Sequence, residues 1–194
     1  MLDRKAIVRH ELANLLTTVT ILVADSGLKP AEKEPIEDRV RMAGMILTYE
    51  NIFLGKRQSF FMESVDVSEL LRILCGVFGD RRNLDKSERR LSEAHLRVVA
   101  NRNGLADALE LICRKWISDN APMDFEMDAV AGRLTFRHRP GAVLNPKNVD
   151  LLEVLRNDIG SPEWGFQLAL RLLEMNYVQV SFPEGKMTLK FRLK

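Results

Sequence analysis

Cysteine is scarce. The two that occur, Cys75 and Cys113, stand in apolar helical contexts without the paired spacing of metal ligands, which argues against a zinc-built or disulfide-stapled scaffold. They read as buried thiols of a reducing compartment. No apolar run approaches the ~20 residues that span a bilayer, and the first residues lack the apolar stretch of a secretory signal. The expectation is a cytoplasmic protein that does not associate with membrane. No Lys/Arg tract occurs and the formal net charge is only +2, so nothing in the charge calls for nucleic acid. Internal repeats and low-complexity segments are missing as well. What is present is apolar content, 46% of 194 residues, sufficient for one compact domain or two small ones.

One stretch near the start organises the rest: Val8-Arg9-His10-Glu11-Leu12-Ala13-Asn14-Leu15-Leu16-Thr17. At about 100° per residue, Val8, Leu12, Leu15, Val19 and Leu22 form a seam with four-three-four-three spacing. His10, Asn14, Thr17 and Ile21 fall together on roughly the opposite side. The pattern predicts a helix from Asp3 to Ser26, stopped by Gly27 and Pro30. After the turn Leu28-Lys29-Pro30 a second helix is expected over Ala31–Lys56, with a seam of Ile36, Val40, Ala43, Leu47, Glu50 and Leu54. So short a connection implies an antiparallel hairpin. A lone hairpin cannot bury both seams; two hairpins in a four-helix bundle can, so a homodimer is expected, with folding back onto the rest of the chain as the alternative.

Gly55 to Glu63 breaks the helical pattern and sets the expected boundary: residues 1–58 form the hairpin and 59–194 an α/β domain. Phe60–Val65 reads as a strand. Asp66-Val67-Ser68-Glu69 resembles a capping box with Asp as the cap, opening a helix to Phe78. A charged loop spans Gly79–Ser87, and Arg90–Leu96 alternates as a strand that Leu96–Ala100 either prolongs or ends. Gly104–Ser118 is helical, with Leu105, Ala108, Leu109, Ile112 and Trp116 on one face. Asp124–Ala129 and Arg133–Arg139 form a hairpin turned near Ala131-Gly132. A turn at Pro140-Gly141, a helix from Asn145-Pro146 to Arg156 and a helix from Pro162 to Met175 follow. Tyr177–Phe182 and Lys186–Leu193 make a second hairpin, turned at Pro183-Glu184-Gly185. The fold class is α+β, with helices on one face of a mixed, mainly antiparallel sheet.

A helical hairpin bearing His-Glu-x-x-Asn, followed by an α/β domain of this size, resembles the catalytic half of bacterial sensor histidine kinases. The resemblance implies a dimerisation and histidine-phosphotransfer hairpin, followed by an ATPase-like domain. His10-Glu11-Leu12-Ala13-Asn14-Leu15-Leu16-Thr17 is similar to the phosphoacceptor box, with Leu15 where proline is common. The nucleotide boxes depart from the family pattern. Leu111 and Lys115 stand where asparagines reach Mg²⁺ and phosphates, and Phe136-Arg137-His138-Arg139-Pro140-Gly141 is basic where an aspartate meets adenine. Gly160-Ser161-Pro162-Glu163-Trp164-Gly165-Phe166 puts bulk and a carboxylate where a glycine-rich lid would cradle phosphate. The chain therefore resembles the dimeric histidine phosphotransferases of bacterial phosphorelays, whose degenerate ATPase-like domain binds no ATP.

That resemblance implies a two-component role in which His10 takes a phosphoryl group from one receiver-domain aspartate and gives it to another. No cofactor or metal is implied. Glu11 is placed to accept a hydrogen bond from the other ring nitrogen and fix its tautomer. Asn14, one turn on, is placed to orient a water for dephosphorylation. Thr17 and Ile21 extend the face as receiver contacts. Competing expectations are an ATP-dependent kinase, an aspartyl-phosphate phosphatase and a non-catalytic receiver-binding module. His95 and His138 read as strand residues with ordinary partners, and Arg81-Arg82 and Arg89-Arg90 as solvated faces.

Overall fold

The computed structural model describes residues 4–49, 61–78, 95–118, 124–137 and 162–193, with the side chains of 4–10, 34, 38, 46, 78, 116–118 and 162–164 outside that description. The described residues divide between two compact units, 4–49 in one and the remainder in the other. The described residues are mixed α and β, with five α-helices and two small antiparallel sheets.

In the first unit α1 (Arg4–Asp25) and α2 (Pro30–Thr48) pack on each other across a four-residue connection. The connection is tied down locally. The Lys29 N–H donates to Glu32 Oε2 at 2.8 Å, which satisfies one of the donors left over at a helix start. Pro30 occupies the first helical position, where its missing N–H costs nothing. Lys33 Nζ donates to the Ala24 carbonyl at 2.7 Å, placing a cation on the negative end of α1. Val23, Met42, Met45 and Tyr49 are buried in this unit. The seam expected on α1 is a different stripe: Leu12, Leu15, Val19 and Leu22 remain 38–64% exposed. On α2 the expected seam is likewise only partly covered, with Ile36 exposed and Val40, Ala43 and Leu47 half-buried. Glu50 and Leu54 lie outside the described residues.

The second unit begins with β1 (Glu63–Asp66), which runs straight into α3 (Val67–Phe78). Asp66 caps α3 as its sequence suggests: Oδ1 accepts from the N–H groups of Ser68 at 2.9 Å and Glu69 at 3.4 Å. β2 (Arg97–Ala100) pairs antiparallel with β1, Val65 opposite Val98. Of the strand expected over Arg90–Leu96, residues 90–94 lie outside the described residues; of the two readings for Leu96–Ala100, the strand is the one found, from Arg97 on. His95 and Leu96 are not in a strand, because the Leu96 N–H is taken by Ser68 Oγ at 3.0 Å and its carbonyl by the Val67 N–H at 2.9 Å. Helix α4 (Arg102–Ser118) follows, capped by Asn101, whose Oδ1 accepts the Gly104 N–H at 2.8 Å.

β3 (Asp124–Asp128) and β4 (Arg133–Arg137) form the expected hairpin. Gly132 takes a left-handed φ of 63° at its turn. Asp128 Oδ1 accepts the Ala131 N–H at 2.8 Å; that bond, with Arg133 alongside, holds the Asp128 carboxyl below its usual range. α5 (Pro162–Met175), β5 (Gln179–Ser181), a 3₁₀ turn at Pro183–Gly185 and β6 (Lys186–Lys190) complete the unit. The four-stranded sheet has the order β3-β4-β6-β5, and every pairing is antiparallel. The single mixed sheet of the sequence reading is therefore two antiparallel sheets, linked by one antiparallel bridge between Val98 and Leu193. The helix expected over Asn145–Arg156, the Pro140-Gly141 turn and the 79–87 loop lie outside the described residues.

Strict alternation decides which face of the larger sheet is wet. Leu134, Phe136, Met187 and Leu189 are fully buried, while Arg133, Arg137, Lys186 and Lys190 between them are exposed. The apolar side joins Leu105, Leu109 and Ile112 of α4 and Leu168 and Leu172 of α5 in one core, with α4 and α5 packed closely on each other. Each such side chain taken wholly out of water contributes about 1.5–3 kcal/mol. Phe125 and Phe136 pack tilted, with ring centroids 6.0 Å apart. Cys75 and Cys113 are both buried, and neither is in a disulfide. Burial, reinforced by the neighbouring Cys75 thiol, pushes the Cys113 thiol far up, which removes its nucleophilic form.

Candidate functional site

The residues singled out on the first helix all lie on α1, and the helix sets their spacing. His10 belongs to α1, and its side chain is outside the described set. Four residues on, Asn14 is displaced about 6 Å along the axis and roughly 40° around it; Thr17 and Ile21 return to the same side. Asn14, Thr17 and Ile21 are exposed, Ile21 to 55%. Glu11 is exposed too, but adjacent residues diverge by about 100°. This stretch is rich in threonine, and the hydroxyls turn inward: Thr17, Thr18 and Thr20 donate to the carbonyls of Ala13, Asn14 and Leu16 at 2.9–3.0 Å. Such back-bonding weakens the underlying helical turns slightly. It also leaves the hydroxyl protons committed, so Asn14 is the neutral side chain on this face whose hydrogen bonds all remain for a visitor or water.

The positions expected to stand in place of nucleotide boxes are packed. Leu111 is 2% exposed within α4. Lys115 and Glu110 on the same helix are buried as well, with Glu110 accepting from Arg114 Nε at 2.9 Å. Gly165 and Phe166 are buried in the first turns of α5. Arg137 is exposed at the end of β4 and bonded to Glu126 at 2.9 Å. His138 and the rest of that segment lie outside the described residues.

Two polar clusters in the second unit were not singled out by sequence. Asp66 Oδ2 meets His95 Nδ1 at 3.1 Å. Partial burial raises the Asp66 carboxyl, but the bonds from His95, Ser68 and Glu69 outweigh it and hold the group below its usual value. Ser68 sits beside this pair, yet Asp66, His95 and Ser68 do not make a nucleophilic triad. Ser68 is fully buried, its Oγ accepts from Leu96 and donates toward Met127 Sδ at 3.6 Å. His95 is accordingly a loop residue with an acidic partner, not a strand residue. The second cluster joins Asn101 and Asn176. The Asn101 N–H donates to Asn176 Oδ1 at 2.7 Å, Asn101 Nδ2 to the Phe61 carbonyl at 3.0 Å and Asn176 Nδ2 to the Leu172 carbonyl at 2.8 Å. It ties the start of α4 to the end of α5. The signal for it is an asparagine directly before one helix and directly after another.

Among the described residues no group of three or more His, Cys, Asp or Glu side chains is arranged to hold a metal ion. No described helix is long and apolar enough to cross a membrane. No protein-family model matches the sequence, and no curated protein matches it.

Proposed function

We propose that this chain is a histidine phosphotransferase of a two-component phosphorelay, carrying phosphoryl groups between receiver-domain aspartates through His10 without ATP. The observation that carries the reading is a contrast between the two units. Glu11, Asn14, Thr17 and Ile21 stand open on α1, while the positions that would serve nucleotide, Leu111 and Lys115, are buried. The order β1-α3-β2-α4-β3-β4-α5-β5-β6 supports a degenerate ATPase-like domain behind a helical hairpin. The uncovered stripe Leu12-Leu15-Val19-Leu22 supports pairing of two hairpins into a four-helix bundle. A cytoplasmic setting goes with these partners.

The chemistry asks little of the protein. The neutral imidazole of His10 attacks the phosphorus of an aspartyl phosphate in line with the departing carboxylate. The step needs the unprotonated imidazole, a form that histidine as a residue type supplies near neutral pH. Glu11 stabilises the charge that builds on the ring, and Asn14 positions a water when the outcome is hydrolysis instead. The test is a phosphotransfer assay with ³²P-labelled receiver domains beside an Mg-ATP titration. Label appearing on the wild-type chain, disappearing in His10→Ala, with no ATP binding, is the expected result. Autophosphorylation from ATP, or failure of every phosphorylated receiver to label His10, would overturn it. Asn14→Ala separates the phosphatase alternative, since it removes hydrolysis and spares transfer. A pure binding module would be indifferent to His10→Ala.

A further inference from the structure

The wet face of the four-stranded sheet is ordered by charge. Its register places Asp124, Glu126 and Asp128 of β3 at one edge, Arg133, Thr135 and Arg137 next on β4, then Lys186, Thr188 and Lys190 on β6 and Gln179 and Ser181 on β5. The acidic edge is spoken for. Arg133 pairs with Asp128 at 3.2 Å, and Arg137 with Glu126 at 2.9 Å and Asp124 at 3.8 Å. One strand further in, like charges stand directly opposite: Arg133 faces Lys190 and Arg137 faces Lys186. Like charges across a strand pair are destabilising, and here nothing on the far side compensates. β5 offers only Gln179 and Ser181, and exposed Arg192 continues the alternation past β6. Among the described residues, Lys186, Lys190 and Arg192 have no carboxylate partner. Between the cations runs a row of hydroxyls, Thr135, Thr188 and Ser181, with Thr135 Oγ1 and Thr188 Oγ1 3.3 Å apart.

We propose that this face docks an extended acidic peptide segment along β6, its carboxylates on Lys186, Lys190 and Arg192 and its backbone crossing the hydroxyl row at Thr188. Every second residue of an extended chain repeats at about 7 Å, the same repeat that separates the outward side chains of β6. Lys190 and Arg192 therefore stand about one repeat apart, within a Debye length at physiological salt. Lys186 lies about two repeats, ~14 Å, from Lys190, so the three match a row of charge by their spacing and only Lys190 and Arg192 act closely together. The face carries no aromatic side chain on which a nucleic-acid base would stack and no apolar side chain to enter a lipid surface. An acidic peptide needs neither. This surface is separate from α1 and does not depend on the role given to His10.

The experiment uses the full chain and three probes: a fluorescent oligoglutamate peptide, an oligothymidylate of equal charge and phosphatidylserine vesicles. At about 50 mM salt the oligoglutamate should bind, and binding should weaken as salt rises. Lys186→Glu/Lys190→Glu/Arg192→Glu should weaken it at least tenfold. The neutral triple Lys186→Thr/Lys190→Thr/Arg192→Thr, which keeps strand-forming residues, should weaken it several-fold. Arg171→Glu, on α5, should leave it within twofold. Unchanged binding in the neutral triple, or tighter binding of oligothymidylate or vesicles than of oligoglutamate, overturns the proposal. So does no oligoglutamate binding by the wild-type chain.

Discussion

Replacing Asn176 by alanine is the sharpest probe of how the second unit is held. The side chain is 2% exposed, accepts the Asn101 N–H at 2.7 Å and donates to the Leu172 carbonyl at 2.8 Å. The Leu172 carbonyl keeps a bond from the Asn176 N–H at 3.1 Å, so its loss is partial. The Asn101 N–H is left without a partner where water has little access, at about 1–3 kcal/mol. Adding the second bond, the variant should lose about 2–4 kcal/mol. Both tryptophans, Trp116 and Trp164, belong to this unit, so urea unfolding followed by tryptophan fluorescence reports on it selectively. The midpoint should fall with an unchanged slope. Asn101→Ala removes the α4 cap and the bond to Phe61, and the double variant should cost less than the sum of the singles, with a coupling of about 0.5–3 kcal/mol. Asn176→Asp sharpens the argument further. Burial raises the folded-state pKa of the new carboxyl, so its protonated form is stable below the unfolded value of about 3.9 and stability is lost as pH rises. A loss under about 0.5 kcal/mol for Asn176→Ala, or strict additivity with Asn101→Ala, would refute the reasoning.

Gly132→Ala should cost about 1–3 kcal/mol by thermal melting, because φ is 63° there and a Cβ would lie 3.1 Å from the Phe191 carbonyl and 2.9 Å from Leu193 Cδ2. Tyr177 sits in the left-handed region at φ 57° just after α5 and is well exposed, so Tyr177→Gly should raise the same melting temperature, gaining about 0.5–1 kcal/mol. Asp66 is held below its usual pKa, first against partial burial, by His95, Ser68 and Glu69. Its contribution is full above about 3.9 and fades as pH falls through the lowered folded value; Asp66→Asn should flatten urea midpoints measured from pH 6 to pH 3. Leu15→Asp/Leu22→Asp removes side chains 61% and 64% exposed in the single chain. If two hairpins pair, light scattering should show association weakened at least a hundredfold, into the monomer range, since each leucine is worth about 1–2 kcal/mol when covered.

Much of the architecture could be read from spacing. The helices α1, α3, α4 and α5 and both hairpins of the larger sheet carry strong periodicity and explicit stop signals, and they appear within a few residues of the expected bounds. β2 was ambiguous because the alternation of Arg90–Leu96 runs into Leu96–Ala100 with no clear stop signal; among the described residues pairing starts at Arg97, just after Ser68 takes the Leu96 N–H. The division into two sheets was equally hidden, since it depends on which strands meet, not on whether they form. On α2 the period predicted an apolar stripe but not which stripe would be buried: Met42, Met45 and Tyr49 took that place. Of the site, α1 placed Glu11, Asn14, Thr17 and Ile21 as a helix must. The Asn101–Asn176 and Asp66–His95 contacts join residues far apart in the chain; the asparagines at two helix ends mark each end locally, but nothing local says that the two ends meet.

The bridge between Val98 and Leu193 has a consequence for the order of assembly. β2 pairs with β1 on one side, and on the other it waits for residue 193. As the chain is synthesised from its N-terminus, nearly the whole of the second unit must leave the ribosome before the two sheets can be joined. Until then β2 presents an open edge, the kind of surface on which other nascent chains pair. The long separation also makes closure an entropically late event. This unit should therefore lean on chaperones during its synthesis far more than its modest size suggests.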